Sequence, residues 1–454
     1  PFEVKPLHSS QASSGAQVCG PLAQALRLQA MPLPLPAAAL TSALVSSKAS
    51  NIKWIMLGTG TAFLAWLAKK LADNLSRSVL GLRRELYPVE EWVLQYDEVA
   101  VDLEIPVFDC HHHAGDPATW EKGWPGVHDH WFNLKCWCSL KPSVQNWYAI
   151  QDPLNNDSWG PRHAGIIPYM VGEILTDMNG PNGRGHNVVG SIFVEWGWKS
   201  RDVDHECMIP VKEADAAAEL HRQCPRIING IIARADLSLG AEVEPALQYY
   251  KKNPLVVGIR HNLRWAEGID SLAEEKTAYD PKWREGFALL SKYDLCFDTT
   301  IFHLQIDAVA DLARDFPDTR IIINHMAVPL GICGFNRDEV RPVWEESMKR
   351  LAKFKNVFVK VGGFGMRWLG FGFEERQKPP TSDELVAAWG PYILFVIETF
   401  GVDRCMMESN SPMDKPTCSY TVLFNALKKI TRCYSKEDRW NMFKLNAKRV
   451  YKIK

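Results

Sequence analysis

The chain has 454 residues, too many for one small domain and about right for a large catalytic domain with an additional segment. Lysine and arginine number 52 and aspartate and glutamate 53, so the net charge of −1 leaves no basic surplus and disfavours a nucleic-acid-binding protein. The 46% apolar and 23% charged residues exclude wholesale disorder and collagen-like repeats. The 11 cysteines follow no framework spacing, which favours free thiols and an intracellular protein.

The first 85 residues differ in composition from the rest of the chain. Residues 4–72 contain no aspartate or glutamate, and the uncharged run of 15 residues from Trp54 to Ala68 is flanked by lysines. A bilayer span needs roughly 20 apolar residues, so this run is short for one. Leucines continue beyond it at helical spacing, which predicts an N-terminal apolar or amphipathic helix. For residues 1–85 we expect membrane contact through residues 52–80 or targeting to a mitochondrion or plastid, with a disordered tail as the alternative.

After Pro88, short β-branched runs alternate with amphipathic stretches of helical length. Predicted strands span about residues 105–111, 188–195, 227–234, 255–260, 295–301, 320–325, 356–361 and 403–408. Predicted helices span 211–224, 241–252, 304–316, 340–354 and 382–400. This order predicts a (β/α)8 TIM barrel over residues 86–454. The alternative, an open doubly wound sheet, would need a glycine-rich phosphate loop after its first strand, and none follows.

Histidines stand where predicted strands end. The first strand ends in Asp109-Cys-His-His-His113, and strict alternation places Asp109, His111 and His113 on one face, with His112 on the other. The sixth strand ends at His325. Catalytic residues of a TIM barrel lie at the carboxyl ends of its strands, so we expect His111, His113 and His325 to converge at one rim. The alternative is a set of polar strand ends whose histidines only meet water.

Several motifs follow one another along this predicted barrel. They are Phe-Asp-Cys-His-His-His from residue 108, Val-Gly-Ile-Arg from 257, Asn-His-Met-Ala-Val-Pro from 324, Asn-Val-Phe-Val-Lys-Val-Gly-Gly-Phe-Gly-Met from 356 and Arg-Cys-Met-Met-Glu-Ser-Asn-Ser-Pro-Met-Asp-Lys from 404. From about Val101 onward the chain resembles the amidohydrolase superfamily, in particular the group with sugar lactonases, pyrone dicarboxylate lactonase and aminocarboxymuconate semialdehyde decarboxylase. The resemblance implies paired metal ligands at His111 and His113, and metal binding or proton transfer at His325.

The end of the eighth predicted strand departs from the family pattern. The family usually presents an aspartate there, as metal ligand and general base in a Gly-Ser-Asp-like context, whereas this chain has Glu408-Ser-Asn410. An amide cannot take a proton from water. Because Glu408 and Asn410 are two positions apart, we expect them on the same face, about 6–7 Å apart along the strand. We assign both to the catalytic set, on the hypothesis that the carboxylate has moved. The alternative is a structural Glu408 paired with a base such as Lys360.

Three further residues near strand ends are assigned roles. Glu195 is the hypothesised oxygen ligand of a metal, with a helix cap or ion-pair partner as the alternative. Arg260 has a planar guanidinium that matches a substrate carboxylate or carbonyl, or else forms a salt bridge. His303 lies where the family often has a His-x-Gln element and is assigned to the catalytic set, with a structural role as the alternative.

The expected cofactor is a divalent metal, with Zn²⁺ as the first choice, because histidine ligands suit zinc. The missing aspartate leaves a metal-free mechanism as the alternative.

Tryptophans are concentrated in a long insertion between the first two predicted strands, at about residues 115–185. Six of the 17 tryptophans lie there, and long loops in compact domains usually carry a function. We assign Trp120 and Trp124 to substrate binding, and the aromatic area favours a cyclic or sugar-like small molecule. The alternative is that these rings only fasten the loop to the barrel.

The sequence therefore predicts a hydrolase that opens a lactone or cleaves a related ester or amide. The alternatives are a decarboxylase on the same barrel and a catalytically impaired, membrane-tethered binding protein. The sequence does not determine the oligomeric state.

Overall fold

A computed structural model describes residues 86, 88–116, 167–180, 183–197 and 203–453. The predicted N-terminal helix, residues 52–80 and most of the tryptophan-rich insertion, including Trp120 and Trp124, lie outside these ranges. The predictions made for them, and the domain boundary at residue 85, stay predictions. In the described ranges, no helix is both long enough and apolar enough to cross a bilayer.

Eight parallel strands form one sheet whose spatial order follows the chain. They are β1 (Val107–His112), β2 (Val188–Val194), β3 (Gly230–Arg234), β4 (Val256–Arg260), β5 (Cys296–Thr300), β6 (Ile321–Asn324), β7 (Val357–Val361) and β8 (Cys405–Met407). Each matches a predicted strand to within a few residues. Almost all apolar residues of these strands are buried, on both faces of the sheet, as expected for an all-parallel sheet, and Val189, which is 40% exposed, is an exception.

Helices alternate with the strands in the described part of the chain. They are α1 (Pro88–Val93), α2 (Val171–Asn179), α3 (Val211–Gln223), α4 (Glu244–Lys251), α5 (Pro281–Lys292), α6 (Ile306–Asp315), α7 (Arg337–Leu351), α8 (Ser382–Phe400), α9 (Tyr420–Ile430), α10 (Lys436–Trp440) and α11 (Asn446–Val450). The predicted (β/α)8 TIM barrel is thereby confirmed.

The barrel closes between β1 and the residues just beyond β8. The backbone N–H of Asn410 donates to the carbonyl of His111 at 2.9 Å, and the N–H of His113 donates to the carbonyl of Ser411 at 2.7 Å. The closing hydrogen bonds therefore involve the same short segments that carry the predicted site residues.

The interior of the barrel is packed with side chains, as expected for this fold. One buried cluster joins strand residues to the C-terminal helix α11 and its next residue: Phe108, Cys110, Ile192, Val194, Ile232, Cys296, Ile322, Phe358, Met406, Ala447, Val450 and Tyr451. Arg320, which precedes β6, donates to the carbonyl of Val450. The C-terminal helix therefore closes the amino-terminal end of the barrel, opposite the predicted rim.

Local sequence signals explain where the flanking helices start and stop. Thr381 and Glu384 form a capping box at the start of α8, and Gly401, with φ of 84°, ends that helix. Asp280 caps α5 by accepting a hydrogen bond from the N–H of Trp283 at 2.8 Å, with Pro281 as the first helical residue. These caps fix where α5 and α8 begin and where α8 ends.

Candidate active site and metal centre

A β-bulge in β1 sets the directions of the first-strand side chains. Between Asp109 and His112, β1 advances three residues while β2 advances two, from Ser191 to Phe193. Cys110 therefore lies in the interior cluster, whereas Asp109 accepts hydrogen bonds from Ser409 and Tyr420. The predicted shared face of Asp109 with His111 and His113 is wrong, because the extra residue breaks strand alternation.

The structure brings the imidazoles of His111, His113 and His325 together. The ring centroids of His111 and His113 are 5.0 Å apart, and those of His111 and His325 are 4.7 Å apart. All three residues are buried. We call these three side chains the histidine cluster. His111 and His113 come from one segment, and His325 follows more than 200 positions later in the chain.

The backbone around His325 is unusual. His325, Met326 and Ala327 all have φ of 53° or 54°, the left-handed region, which costs a non-glycine residue about 1–3 kcal/mol. A Cβ added to Gly363, which follows β7, would lie 2.3 Å from Nδ1 of His325. The imidazole therefore occupies the space that a side chain at position 363 would take, and the glycine is needed for the ring to sit there.

Glu408 joins two of the three imidazoles. Its Oε1 lies 2.7 Å from Nδ1 of His325 and accepts the backbone N–H of the same residue at 3.1 Å. Its Oε2 lies 3.0 Å from Nδ1 of His111. The carboxylate is fully buried. Although β8 ends one residue earlier, the glutamate reaches the histidine cluster directly.

Burial and neighbouring cations keep the histidine cluster neutral. Desolvation, followed by the charge of Lys360, holds the pKa of His111 well below its usual value. Desolvation and Arg260 do the same for the pKa values of His113 and His325. Desolvation raises the pKa of Glu408 to about 8. Neutral imidazoles keep lone pairs available for a metal or for a proton.

The hydrogen bonds of the cluster leave one contact unexplained. His113 Nδ1 lies 2.9 Å from the carbonyl of Val194 and must carry the proton, because a carbonyl can only accept a hydrogen bond. His113 Nε2 is therefore unprotonated, and it faces His111 Nε2 at 3.4 Å. Lys360 Nζ, a donor, lies 3.5 Å from His111 Nδ1. His111 can donate to His113 when its proton is on Nε2, and its Nδ1 is then unprotonated. That Nδ1 faces Glu408 Oε2, which has no hydrogen-bond partner among the described residues. Two acceptors 3.0 Å apart need a proton or a cation between them.

These residues fit a divalent metal. His111, His325 and Glu408 each offer one ligand atom, all within 4.8 Å of one another. Neutral imidazoles with one carboxylate form a donor set that suits Zn²⁺. On the other side of the His111 ring, the 3.4 Å between the Nε2 atoms of His111 and His113 equals the separation of about 3.4 Å between two nitrogen ligands of tetrahedral zinc. Both edges of the His111 ring can therefore face a cation.

Asn410 has different partners from Glu408. Its Nδ2 donates to Asp414 Oδ1 at 2.8 Å, and its φ is 53°. Burial raises the pKa of Asp414 to about 8. Because β8 ends at Met407, strand alternation does not extend to position 410, and the face shared by Glu408 and Asn410 stays a prediction.

Glu195 and Arg260, assigned to metal and to substrate, form an ion pair with each other. Arg260 Nε donates to Glu195 Oε1 at 2.6 Å, and both side chains are buried. Although burial opposes ionisation, Arg260 holds the pKa of Glu195 below its usual value. Among the described residues, the group able to hold a metal does not include Glu195.

Lys360 and His303 have partners outside the histidine cluster as well. Lys360 Nζ lies 2.8 Å from Asp298 Oδ1, so its ion pair is with Asp298 rather than Glu408. The ring of His303 accepts the N–H of Leu330 at 3.5 Å and meets Phe335 edge-on. Burial lowers the pKa of His303 to about 4. The described contacts of His303 do not connect it to His325.

Residues that sequence reasoning left without a role complete this region. Asp298, a buried carboxylate in the middle of β5, accepts from Asn324 at 2.9 Å and from Tyr451. An acidic residue in the middle of a predicted strand was the available signal for Asp298. Gly363 belongs to a Gly-Gly pair directly after β7, and Asp414 to the Met-Asp-Lys end of the last motif.

Comparisons of the sequence with known proteins found a matching family and two relatives. The sequence model of the family described as Amidohydrolase matches residues 200–453. The uncharacterized protein y4mH of Sinorhizobium fredii is 29% identical over 318 residues, 68% of this chain and 94% of that protein. An L-fucono-1,5-lactonase of Burkholderia ambifaria is 29% identical over 164 residues, 36% of this chain and 49% of that enzyme.

Solved structures support the fold. A crystal structure of an amidohydrolase from Burkholderia multivorans with bound zinc has a TM-score of 0.52 and 17% sequence identity, covering 66% of this chain and 95% of that one. At that identity the likeness concerns the fold alone. The sequence match spans more than half of the residues and includes β3 to β8, and the chain therefore belongs to the amidohydrolase family.

Proposed function

We propose that this protein is a hydrolase that opens a lactone, or cleaves a related ester or amide, of a cyclic or sugar-like small molecule. The observation that carries the proposal is the buried carboxylate of Glu408 against the imidazoles of His325 and His111, at 2.7 and 3.0 Å. A carboxylate held against an imidazole provides the acid–base pair that hydrolysis requires. The lactonase of Burkholderia ambifaria, similar over about half its length, favours a lactone among these substrates.

In this proposal the protein's own groups move one proton and hold the carbonyl. In the metal-free site, His325, fixed through Nδ1 by Glu408, takes a proton from the attacking water with its other ring nitrogen; with a metal bound it would be a ligand instead of the base. Water oxygen bonds to the acyl carbon, the bond from that carbon to the ring oxygen breaks, and the proton passes to the leaving oxygen. Arg260, whose charge lowers the pKa of His325, would hold an oxygen of the substrate.

A divalent metal, with zinc as the first choice, would be held by His111, His325 and Glu408, with His113 beside it. When bound, the metal would act as a Lewis acid toward the substrate carbonyl. The bound zinc in the amidohydrolase of Burkholderia multivorans makes zinc the first metal to test.

The test pairs elemental analysis of protein purified without added metal with a panel of lactones, esters and amides. We expect about one divalent ion per chain, hydrolysis of at least one lactone, and loss of both in His111→Asn and His325→Asn. His205→Asn is the control, since this exposed histidine has its described contacts with Cys207. Carbon dioxide release from aromatic acids without ester or lactone cleavage would indicate a decarboxylase instead. Absent turnover with the fold intact would favour a binding protein.

A further inference from the structure

Next to the histidine cluster lies a polar group made of Glu195, Arg260 and Asn262, which we call the polar triad. His113 contacts the residues on both sides of Glu195. The Nδ1 of His113 donates to the carbonyl of Val194 at 2.9 Å, and the His113 ring stacks on Trp196 with the ring centroids 5.6 Å apart. Glu195 is therefore flanked by two residues that touch the cluster. Its side chain is 2% exposed and that of Asn262 is 6% exposed, so neither is hydrated like a surface group.

Two acceptor oxygens of the polar triad lack a hydrogen-bond donor. Glu195 Oε2 and Asn262 Oδ1 are both buried and have no hydrogen-bond partner among the described residues. The amide of Asn262 is oriented by its Nδ2, which lies 3.5 Å from Glu195 Oε1. A buried acceptor left without a donor is destabilising, so both oxygens favour a ligand that brings O–H or N–H groups.

The three cations whose charges lower the pKa values of the histidine cluster each have a carboxylate partner. Arg260 pairs with Glu195 at 2.6 Å, Arg264 with Asp270 at 2.8 Å, and Lys360 with Asp298 at 2.8 Å. A ligand carboxylate would bring two more acceptors, would find these three charges already neutralised, and would approach the negative Oε2 of Glu195. A hydroxyl group can donate to that oxygen and accept elsewhere, so the electrostatics favour a neutral ligand rich in hydroxyls.

We propose that Glu195 is a specificity-determining residue of the lactone-opening reaction: it neutralises Arg260 and offers Oε2 to a hydroxyl, so that the site takes neutral, hydroxylated lactones and rejects those that carry a carboxylate. This inference rests on the proposed function for the reaction, and adds the class of substrate. It gives Glu195 a part in choosing the substrate in place of the metal-ligand role expected from its position at the end of β2.

The test is a binding measurement that needs no turnover. The probes are a six-membered sugar lactam, which is a neutral stand-in for the lactone, and the same lactam with its hydroxymethyl group oxidised to a carboxylate. In calorimetric titrations we expect wild type to bind the neutral lactam at least about tenfold more tightly than the acid, because the carboxylate of the acid and that of Glu195 are like charges that repel each other. Equal binding, or preference for the acid, overturns the proposal.

Glu195→Gln should reverse this preference because it leaves the charge of Arg260 uncompensated. We expect the acid to bind about tenfold more tightly than to wild type and the neutral lactam several-fold more weakly. Asp307→Asn is the matched control: it removes the carboxylate partner of an arginine at an exposed ion pair, Arg350 to Asp307 at 2.9 Å, and should change neither affinity. Unchanged binding of the acid in Glu195→Gln contradicts the proposal.

The double variant Glu195→Gln with Arg260→Gln separates charge from folding. It should lose the gain in acid binding while keeping the far-ultraviolet circular dichroism of wild type. A gain that persists without Arg260 would show that another cation recognises the acid and would overturn the role of Glu195. If the lactam preference holds but no lactone in the panel is hydrolysed, the proposed reaction fails and the specificity of the site stands.

Discussion

Glu408 is the residue on which the acid–base chemistry of the site depends most. It is fully buried, its pKa is raised to about 8 by desolvation, and it contacts two imidazoles. Glutamine keeps the shape but cannot balance the charge of a metal or a proton. We expect Glu408→Gln to lower kcat/KM by about 10²- to 10⁴-fold, the usual contribution of a general acid–base group, and to lower the bound metal measured by elemental analysis.

The matched control for this prediction is Glu374→Gln, which changes another buried glutamate, one whose ion pair is with Arg367 at 3.2 Å. It should leave kcat/KM within about threefold of wild type, because its described partners do not belong to the histidine cluster. Wild-type turnover in Glu408→Gln would show that the carboxylate is structural.

Gly363 controls the position of His325 by having no side chain. A Cβ there would lie 2.3 Å from Nδ1 and 2.5 Å from Cγ of the imidazole, and the glycine has φ of 71°. Gly363→Ala should therefore displace the ring of His325 and reduce kcat by at least about tenfold, since misplacement by about 1 Å can cost 10²-fold.

The control for Gly363→Ala is Gly372→Ala, which has a similar φ of 68° but open space around the added methyl group. Both variants carry the same kind of backbone strain, so a difference in kcat between them measures the collision with His325. Equal kcat values in the two variants would contradict a positioning role for Gly363.

Residue by residue, the sequence predicted the histidines of the site better than their partners. His111, His113 and His325 could be predicted because strand ends of a TIM barrel meet at one rim. The ion pair of Glu195 with Arg260 joins β2 to β4, and that of Lys360 with Asp298 joins β7 to β5. Such pairings depend on side-chain reach across the barrel, which neither periodicity nor spacing contains.

At the level of elements, strands were predictable and their irregularities were not. The isoleucines of β6 are fully buried, and such β-branched runs between helical stretches mark strands clearly. The bulge in β1 inserts one residue without changing the apolar pattern, so alternation places Asp109 on the wrong face. The left-handed φ of 53° at Asn410 was not predicted either, although asparagine is one of the non-glycine residues that adopt this conformation most readily.

The segment that ends at Tyr451 fastens helix α11 to the barrel interior. The Tyr451 hydroxyl donates to Asp298, with its oxygen 3.0 and 3.1 Å from the two carboxylate oxygens. Hydrogen bonds to charged groups contribute about 1.5–3 kcal/mol, so Tyr451→Phe should lower the free energy of unfolding by about that amount in urea titrations.

Tyr249→Phe is the matched control for Tyr451→Phe. Its hydroxyl also bonds a carboxylate, Asp215 at 2.9 Å, but at the surface. Water replaces that bond, so the expected loss is within about 0.5 kcal/mol. Equal losses in both variants would mean that the buried bond of Tyr451 adds nothing beyond an exposed one.

At the scale of the whole molecule, buried histidines make stability depend on pH. Burial lowers the pKa of His186 to about 3 and that of His303 to about 4, against an ordinary value of 6.5. The unfolded chain therefore binds protons that the folded chain excludes. Stability is fully present above pH 6.5 and is lost as the pH falls from 6.5 toward these folded pKa values.

Each of these two histidines should lower the free energy of unfolding by about 2 kcal/mol between pH 8 and pH 5, since at pH 5 only the unfolded form is protonated at a group of pKa 6.5. Urea titrations of wild type at both values measure the total difference. His303→Gln removes one titrating group and should reduce that difference by about 2 kcal/mol, and adding His186→Gln should reduce it by about 2 kcal/mol more. A double variant that retains the full wild-type difference would show that these imidazoles take up protons as readily when folded, and that the acid sensitivity of the barrel arises elsewhere.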